Sequence, residues 1–270
     1  IVFFRLGDFY EMFFDDAIVA SKALEIALTS RDAGAKVPMC GVPYHAAKAY
    51  IQKLIEKGFK IAIAEQVSEP GKGLVQREVT RLITPGTLLE DGILDAKSHN
   101  FIGSLALTEK GYCLTYVDLS TGEGYLIDQL EKKEALDMID GLSIKEMVLY
   151  THFDKQLIDA LQEKNICLSY HDQLTLNESK YIDHLNREQK RAASHLLNYL
   201  MATQKQAIYH LMPFEVVLKD QHMAVDFKLK RHLEIDTSLT NQPKTTLLYW
   251  LDQTQTAMGS RYLKNLLNYP

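Results

Sequence analysis

The sequence contains few cysteines and no long hydrophobic run, and each shortage excludes a class of protein. Its three cysteines, Cys40, Cys113 and Cys167, are far apart in a chain of 270 residues, so they match no zinc-binding spacing and no disulfide framework. This usage indicates a reducing, cytoplasmic environment. No apolar run is long enough to span a membrane, and the first residues lack the pattern of a signal peptide. The sequence therefore predicts no membrane partner.

Excess positive charge is also lacking. The formal net charge is −5, and residues 1–97 contain 12 lysines and arginines against 13 aspartates and glutamates, a balance of −1. Proteins that bind nucleic acid usually carry a basic face, because each phosphate contact needs a positive partner. Composition alone therefore does not indicate a nucleic-acid binder, and any basic face must be local.

Motifs for cofactors are absent as well. A phosphate-binding loop needs spaced glycines, a lysine and a hydroxyl at the start of a helix, and the stretch 71–73, with sequence GKG, lacks both the spacing and the hydroxyl. No two of the nine histidines are separated by three residues, as they are in helical zinc sites. We therefore expect no catalytic residues, no metal ligands and no cofactor in this chain, and no enzymatic activity of its own.

The chain is organised around residues 7–13, with sequence GDFYEMF. The apolar residues before them predict a buried strand, and Asp8 with Glu11 forms a variant of the capping box, which predicts a helix that begins at Asp8. Phe9 and Glu11 would then lie in the first helical turn at the domain edge. There the aromatic ring can act as a wedge, and the carboxylate can bond a group outside the protein. The alternative is that Phe9 is a core residue and that Glu11 only caps the helix.

Strands alternating with helices up to about residue 97 predict a small mixed α/β domain. Within it, residues 38–45 are rigid because two prolines fix the backbone, and Gly41 is read as relieving a tight spot. Residues 98–208 predict three antiparallel strands followed by two helix–strand units and a long helix, which is the order of a ribonuclease-H-like α/β domain. Residues 209–270 begin a helical domain, in which residues 245–267 are expected to form one helix. The predicted class is thus α/β multidomain, with domains at 1–97, 98–208 and 209–270.

Asp118 suggests an alternative function. It ends the second strand of the ribonuclease-H-like block, and nucleases of that fold use converging carboxylates to hold two metal ions. Glu123 and Asp128 follow it, but Glu146 and Asp172 do not fall on convergent strand ends. A single aspartate at a turn more often bonds its own backbone. The alternative to be tested is therefore a metal-dependent nuclease-like activity around Asp118.

Four segments in order closely resemble the bacterial MutS family of DNA mismatch-recognition proteins: GDFYEMF at 7–13, PMCGVPYH at 38–45, ITPGT at 83–87 and TAMGSR at 256–261. The resemblance runs through the whole chain and implies a mismatch-binding domain, a ribonuclease-H-like connector and the start of a helical core and lever domain. It also implies that the family's clamp and ATPase domains lie beyond Pro270, so that this chain is an amino-terminal fragment.

The resemblance assigns roles to individual residues. Phe9 matches the phenylalanine that stacks on a mispaired base from the minor groove, and Glu11 matches the glutamate that hydrogen-bonds the same base. Toward thymine N3–H the carboxylate accepts a hydrogen bond, whereas toward a purine N7 it must be protonated. A helix N-terminus favours the ionised form, so that capping and base reading would compete for Glu11.

Four further residues occupy family positions near the DNA backbone or groove: Arg31, Met39, Tyr44 and His45. Arg31 is expected to meet a phosphate, and Met39 is equally compatible with packing. The resemblance further implies mismatched double-stranded DNA as ligand, a MutL-type repair partner, and a homodimer in the full-length parent. Mg-ATP is expected for the parent's ATPase domain, and the location is expected to be cytoplasmic and nucleoid-associated.

Overall fold

The computed structural model describes residues 1–30, 37–67, 76–88, 96–175, 180–204, 208–218, 227–240 and 242–268. The chain divides into two compact units, the first containing residues 1–93 with 200–209 and the second containing residues 94–199 with 210–270. Each unit contains one six-stranded sheet. The predicted α/β class is therefore confirmed. The division into three domains at residues 97 and 208 stays a prediction.

The first unit has six strands and two α-helices among its described residues. The strands are β1 (Val2–Leu6), β2 (Phe9–Phe13), β3 (Thr29–Ser30), β4 (Pro38–Pro43), β5 (Ile61–Gln66) and β6 (Arg77–Ile83), and the helices are α1 (Phe14–Leu24) and α2 (Ala47–Glu56). The strand order is β3-β4-β2-β1-β5-β6, and β1 runs antiparallel to β2 but parallel to β5. β2 therefore lies inside the sheet, between β1 and β4.

The helix predicted to begin at Asp8 is wrong, because the chain forms a β-hairpin there. Leu6 pairs with Phe9 across a two-residue turn made of Gly7 and Asp8. Gly7 has a φ of 59°, and a positive φ at the first central position is what a type II′ hairpin turn requires. The helix α1 begins only at Phe14. Asp8 therefore lies in a turn, and Glu11 lies on a strand rather than at the positive end of a helix.

The two faces of the first sheet have different environments. Tyr10 and Met12 of β2 are buried, whereas the alternate residues of that strand are half-buried or exposed. Cys40, which pairs with Met12, donates from its thiol to the carbonyl of Ala17 in α1 at 3.4 Å. α1 therefore covers the face that carries Met12 and Cys40, which we call the helix-covered face. The opposite face, the open face, carries Phe9, Glu11 and Phe13 of β2, the β4 residues that pair with them, and Val2, Phe4 and Leu6 of β1.

The second unit repeats the predicted order of elements. Its strands are β7 (Phe101–Thr108), β8 (Gly111–Asp118), β9 (Glu123–Leu130), β10 (Glu146–Leu149), β11 (Cys167–Tyr170) and β12 (Glu215–Val216), and its first helices are α3 (Lys132–Gly141), α4 (Lys155–Glu163) and α5 (Arg187–Thr203, of which 187–199 belong to this unit). The strand order is β11-β10-β7-β8-β9-β12. β7, β8 and β9 are antiparallel, and β10 and β11 add in parallel beyond β7. The three antiparallel strands and two helix–strand units are as predicted, and the ribonuclease-H-like assignment remains an interpretation.

Residues near the end of the chain form shorter helices than expected. These are α6 (Phe227–His232), α7 (Leu247–Leu251) and α8 (Ala257–Asn268), so the single helix predicted over 245–267 is wrong. The break comes at Asp252, whose carboxylate accepts bonds from the Thr254 backbone N–H at 3.1 Å and from its hydroxyl at 2.5 Å. Such local side-chain bonds compete with helix continuation. No helix in the described part of the chain is both long and apolar enough to cross a membrane.

Candidate nucleic-acid interface

β2 places an aromatic ring and a carboxylate side by side on the open face. Phe9 and Glu11 are two residues apart on one strand, so their side chains point to the same side. The Phe9 side chain is 47% exposed although its strand lies inside the sheet. On β1, Leu6 lies opposite Phe9 and Phe4 lies opposite Glu11. The open face thus places a solvent-exposed ring beside the carboxylate of Glu11, with apolar residues of β1 opposite both.

The neighbouring strand β4 completes this arrangement. Its residues Pro43, Gly41 and Met39 pair with Phe9, Glu11 and Phe13 in that order. Met39 is half-buried. The structure therefore brings Phe9, Glu11 and Met39 onto one face, as their shared assignment to an interface requires.

Gly41 does not relieve a tight spot, contrary to the expectation from sequence. A Cβ atom built at this position would lie 3.4 Å from the Tyr10 carbonyl oxygen, 3.6 Å from Glu11 Cγ and 4.0 Å from Phe9 Cδ1, which are ordinary contact distances. The φ of Gly41 is not positive either. The glycine instead leaves an opening beside the Glu11 and Phe9 side chains.

An apolar groove of about 570 Å³ extends along the open face next to these residues. It is lined by Val2, Phe4, Leu6, Phe13, Phe14, Asp15, Asp16 and Arg77. Phe4 and Phe13 meet edge to face at 5.9 Å between ring centroids, which fixes both rings. The groove therefore continues the apolar surroundings of Phe9 and Glu11 along β1 and the start of α1.

Tyr44 and His45 lie beyond the end of β4, in a short 3₁₀ turn at Tyr44–Ala46 that leads into α2. Both side chains are exposed. The Tyr44 N–H donates to the carbonyl of Asp8 at 2.9 Å, which ties this turn to the hairpin that carries Phe9. The two residues are therefore near Phe9, at the end of the sheet where β4 finishes.

The Tyr44 ring, however, contacts residues of the helix-covered face rather than Phe9. The Arg5 guanidinium lies 3.5 Å from the centroid of the Tyr44 ring, a cation–π contact, and the Tyr10 ring is 5.6 Å away. The Tyr10 hydroxyl donates to Glu65 at 2.6 Å, and burial together with this bond raises the pKa of Tyr10. Tyr44 is thus held by a fixed cluster. Arg31 lies outside the described residues, as does the stretch 71–73.

Asp118, the centre of the alternative hypothesis, is wholly buried and fully engaged. One of its oxygens accepts from His99 Nδ1 at 2.9 Å and from the Asn100 N–H at 3.2 Å, and the other accepts from the Ser120 N–H at 2.9 Å and the Ser120 hydroxyl at 2.6 Å. Burial alone would raise the pKa of this carboxyl, but the hydrogen bonds from His99, Ser120 and Asn100 hold it below its ordinary value.

This environment does not support a metal-dependent nuclease. Four donors already surround the Asp118 carboxylate, whereas a catalytic carboxylate must present oxygens to a metal ion. Within the described ranges, no group of three or more histidine, cysteine, aspartate or glutamate side chains could hold a metal ion. Asp118 is instead the turn-forming aspartate that the sequence offered as the plainer interpretation.

Sequence reasoning missed Gly41 and Phe13 as parts of the candidate interface. Both lie within the quoted motifs, but the helical reading of residues 8–13 put Phe13 and Glu11 on different faces. The sequence carried little signal for this, because Glu11 is the only polar residue among residues 9–13 and no apolar–polar alternation marks a strand there.

Comparisons with known proteins find similarity to a family of DNA repair proteins along the whole chain. A family model described as MutS domain I matches residues 1–92, and one described as MutS domain II matches residues 100–215. Three curated relatives described as DNA mismatch repair protein MutS align with the whole chain: one from Acholeplasma laidlawii at 52% identity, one from Geobacillus kaustophilus at 46% and one from Bacillus pumilus at 45%. The chain covers 32%, 31% and 32% of their lengths respectively, so it spans about a third of the relatives it matches.

Proposed function

The chain belongs to the MutS family, and from that premise we propose that its first unit recognises mispaired or unpaired bases in double-stranded DNA. The single observation that carries the proposal is the exposed Phe9 ring beside Glu11 on the open face of the sheet. In this proposal Phe9 enters the duplex from the minor groove and stacks on the mispaired base. Glu11 bonds the edge of the same base.

The energetics of DNA explain why such a wedge distinguishes a mismatch. Inserting an apolar side chain between base steps costs a few kcal/mol of unstacking and kinks the duplex. A mispaired base has already lost pairing and some stacking, so its deformation costs less than that of a matched pair. Selectivity of this kind needs no reading of a particular sequence. It also suits a nearly neutral unit, because the preference does not depend on charge.

Glu11 supplies the polar half of the contact. As a carboxylate it accepts a hydrogen bond from a donor such as thymine N3–H, and when protonated it can donate to a purine N7. Because Glu11 lies on β2 and not at a helix N-terminus, the expected competition between capping and base reading does not arise. The apolar neighbours Phe4 and Phe13 would exclude water from such a bond once DNA covers the open face.

The other carried-over residues have supporting roles in this proposal. Met39 flanks the site on β4 and contacts the groove of the DNA, and Tyr44 and His45 lie on the adjoining edge, where they meet the DNA backbone. Arg31 binds a phosphate, which positions the protein without specifying sequence. The contact with Arg5 supports the role proposed for Tyr44, because a side chain that is already held in place loses little conformational entropy when DNA binds.

The second unit and the whole protein complete the proposal. We infer that the second unit is a ribonuclease-H-like connector that transmits binding rather than catalysing a reaction, and that the last described helices begin a core and lever domain. The strand order of the second sheet supports the first part. For the whole protein we propose a homodimer that uses Mg-ATP in an ATPase domain and engages a MutL-type partner.

The wedge can be tested by the fluorescence of 2-aminopurine placed next to a G·T mismatch, because this base brightens when it unstacks. We expect the whole polypeptide that carries these residues to raise the fluorescence of the mismatched duplex more than that of its matched counterpart. Phe9→Ala should remove this difference. The control Tyr170→Ala removes an aromatic ring that is 48% exposed on β11 of the other unit, and it should keep the difference. An undiminished response of Phe9→Ala would contradict the proposal.

A further inference from the structure

Gly41 is a glycine that neither the backbone nor the packing of the first unit requires. It lies inside β4, where glycine weakens a strand because it lacks a side chain and loses more conformational freedom than other residues. Its φ is not positive, so any residue can adopt its backbone conformation. A glycine inside a strand is often found at a bulge, at a tight bend, or where a ligand or another backbone approaches closely. β4 pairs with β2 in unbroken register across Gly41, which leaves the close approach of another molecule as the reading that we pursue.

The missing side chain would point between the two groups proposed to contact DNA. A Cβ atom at position 41 would lie 3.6 Å from Glu11 Cγ and 4.0 Å from Phe9 Cδ1. It would clash with neither, so the site can accept a methyl group without distortion. Anything longer than a methyl group would extend over the Glu11 carboxylate or along the flank of the Phe9 ring.

The neighbours of Gly41 turn this gap into a notch. Pro43 and Met39, two residues away on either side of the same strand, point to the open face together with it. Across the strand pair lie Phe9, Glu11 and Phe13. The notch therefore has larger side chains at both ends, the ring and the carboxylate along one side, and strand backbone as its floor.

We propose that Gly41 is a specificity-determining residue that keeps this notch open for the edge of the mispaired base. In the notch the base stacks on Phe9, and its polar edge reaches Glu11 without meeting a side chain from β4. This inference rests on the proposed function. In this inference Gly41 contributes by leaving space for the base. Larger side chains at position 41 should therefore reduce discrimination between mismatched and matched DNA while the fold is retained.

The test compares binding of a G·T duplex and its matched duplex, expressed as the ratio of the two affinities. We expect Gly41→Ala to reduce the ratio slightly and Gly41→Leu to reduce it by about tenfold, the effect of losing one polar contact. The thermal unfolding midpoint of Gly41→Ala should equal or exceed that of the wild type, because alanine is the better strand residue at a position without strain. A control, Val79→Leu, enlarges a side chain that is 44% exposed on β6, at the far edge of the same sheet, and should leave the ratio unchanged.

Variants at position 9 separate this inference from the function on which it rests. In a Phe9→Ala background, Gly41→Leu should cause no further loss, because a base that does not stack on Phe9 does not enter the notch and the two substitutions are therefore coupled. If Gly41→Leu keeps the wild-type ratio while Phe9→Ala loses it, the notch is wrong and the proposed function stands. If the wild type has no preference for G·T, or if Phe9→Ala keeps it, the proposed function itself fails. A lower midpoint for Gly41→Ala would show that Gly41 is structural and would overturn the inference.

Discussion

At the scale of single residues, two carboxylates of this chain differ in what surrounds them. Glu11 is half-buried on the open face, next to an exposed ring and an opening at Gly41. Asp118 is wholly buried, and four donors from His99, Asn100 and Ser120 surround its oxygens. As carboxylates, both were candidate functional residues in the sequence, Glu11 for contact with a base and Asp118 for binding a metal ion. The environment of Glu11 is compatible with the binding role that we propose for it, and that of Asp118 indicates a role in the stability of the second unit.

Asp118→Asn should destabilise the second unit by about 2–4 kcal/mol. The new amide group turns a donor toward existing donors, so buried N–H groups lose their acceptor. Because the hydrogen bonds hold the pKa of Asp118 below its ordinary value, its contribution to stability is present at neutral pH and is lost as the pH falls through that lowered pKa. Urea unfolding at pH 7 measures the loss. A change below about 0.5 kcal/mol, the usual size for a surface substitution, would contradict the assignment.

At the scale of elements, the sequence predicted most strands and helices of both units. It did not predict β2, the strand that carries Phe9 and Glu11. Strand-length segments separated by glycine turns located β7 to β9, since strand length and turn residues are local signals. The hairpin at Gly7 was misread because Asp8 and Glu11 have the spacing of a capping box, and because Ala17, Ala20 and Leu24 farther along do follow helical spacing. Burial alternates along β2, but this strand has only five residues. The helical pattern, which continues through α1, therefore outweighed it.

The open face could not be predicted from the sequence in any case. Which residues of β4 lie beside Phe9 and Glu11 depends on the register between β2 and β4, and a shift of one residue would turn Gly41 to the other face. The break at Asp252 was missed for a related reason. Its bonds to Thr254 and Ser260 are side-chain contacts that no periodicity of apolar residues records.

The helix α5 is attached to the second sheet through a buried histidine, which gives this element a pH dependence. The hydroxyl of Ser104 lies 2.6 Å from His195 Nδ1, and Nε2–H of the same ring donates to the carbonyl of His171 at 2.7 Å. The Tyr150 ring stacks on His195 at 3.9 Å. Burial lowers the pKa of His195, more than its bond to His171 raises it.

We therefore expect the second unit to lose stability as the pH falls below about 6.5, the ordinary pKa of histidine. The unfolded chain then takes up a proton that the folded His195 excludes, so the unfolded state is favoured by up to about 1.4 kcal/mol per pH unit. Urea unfolding at pH 7.5 and pH 5.5 measures this slope. His195→Gln should give a smaller slope than the wild type, and an equal slope would contradict the role of His195.

At the scale of the whole molecule, residues 1–97 are nearly neutral and the chain of 270 residues has a formal charge of −5. A chain of this charge gains little from general attraction to DNA, so the preference that we propose for it rests on short-range contacts. In our proposal the wedge and the notch on the open face supply such contacts. The chain spans about a third of its MutS relatives, and binding is best measured in the whole polypeptide that carries it.

The measurement that tests the account most directly is salt-titrated binding to a G·T duplex and its matched control, with and without Phe9→Ala. Base–aromatic stacking is worth about 1–3 kcal/mol, so the variant should lose about 5- to 150-fold of its preference for G·T. The dependence of affinity on salt should not change, because Phe9 contacts no phosphate. Equal preference before and after the substitution would mean that Phe9 is not the wedge, and the account would be wrong.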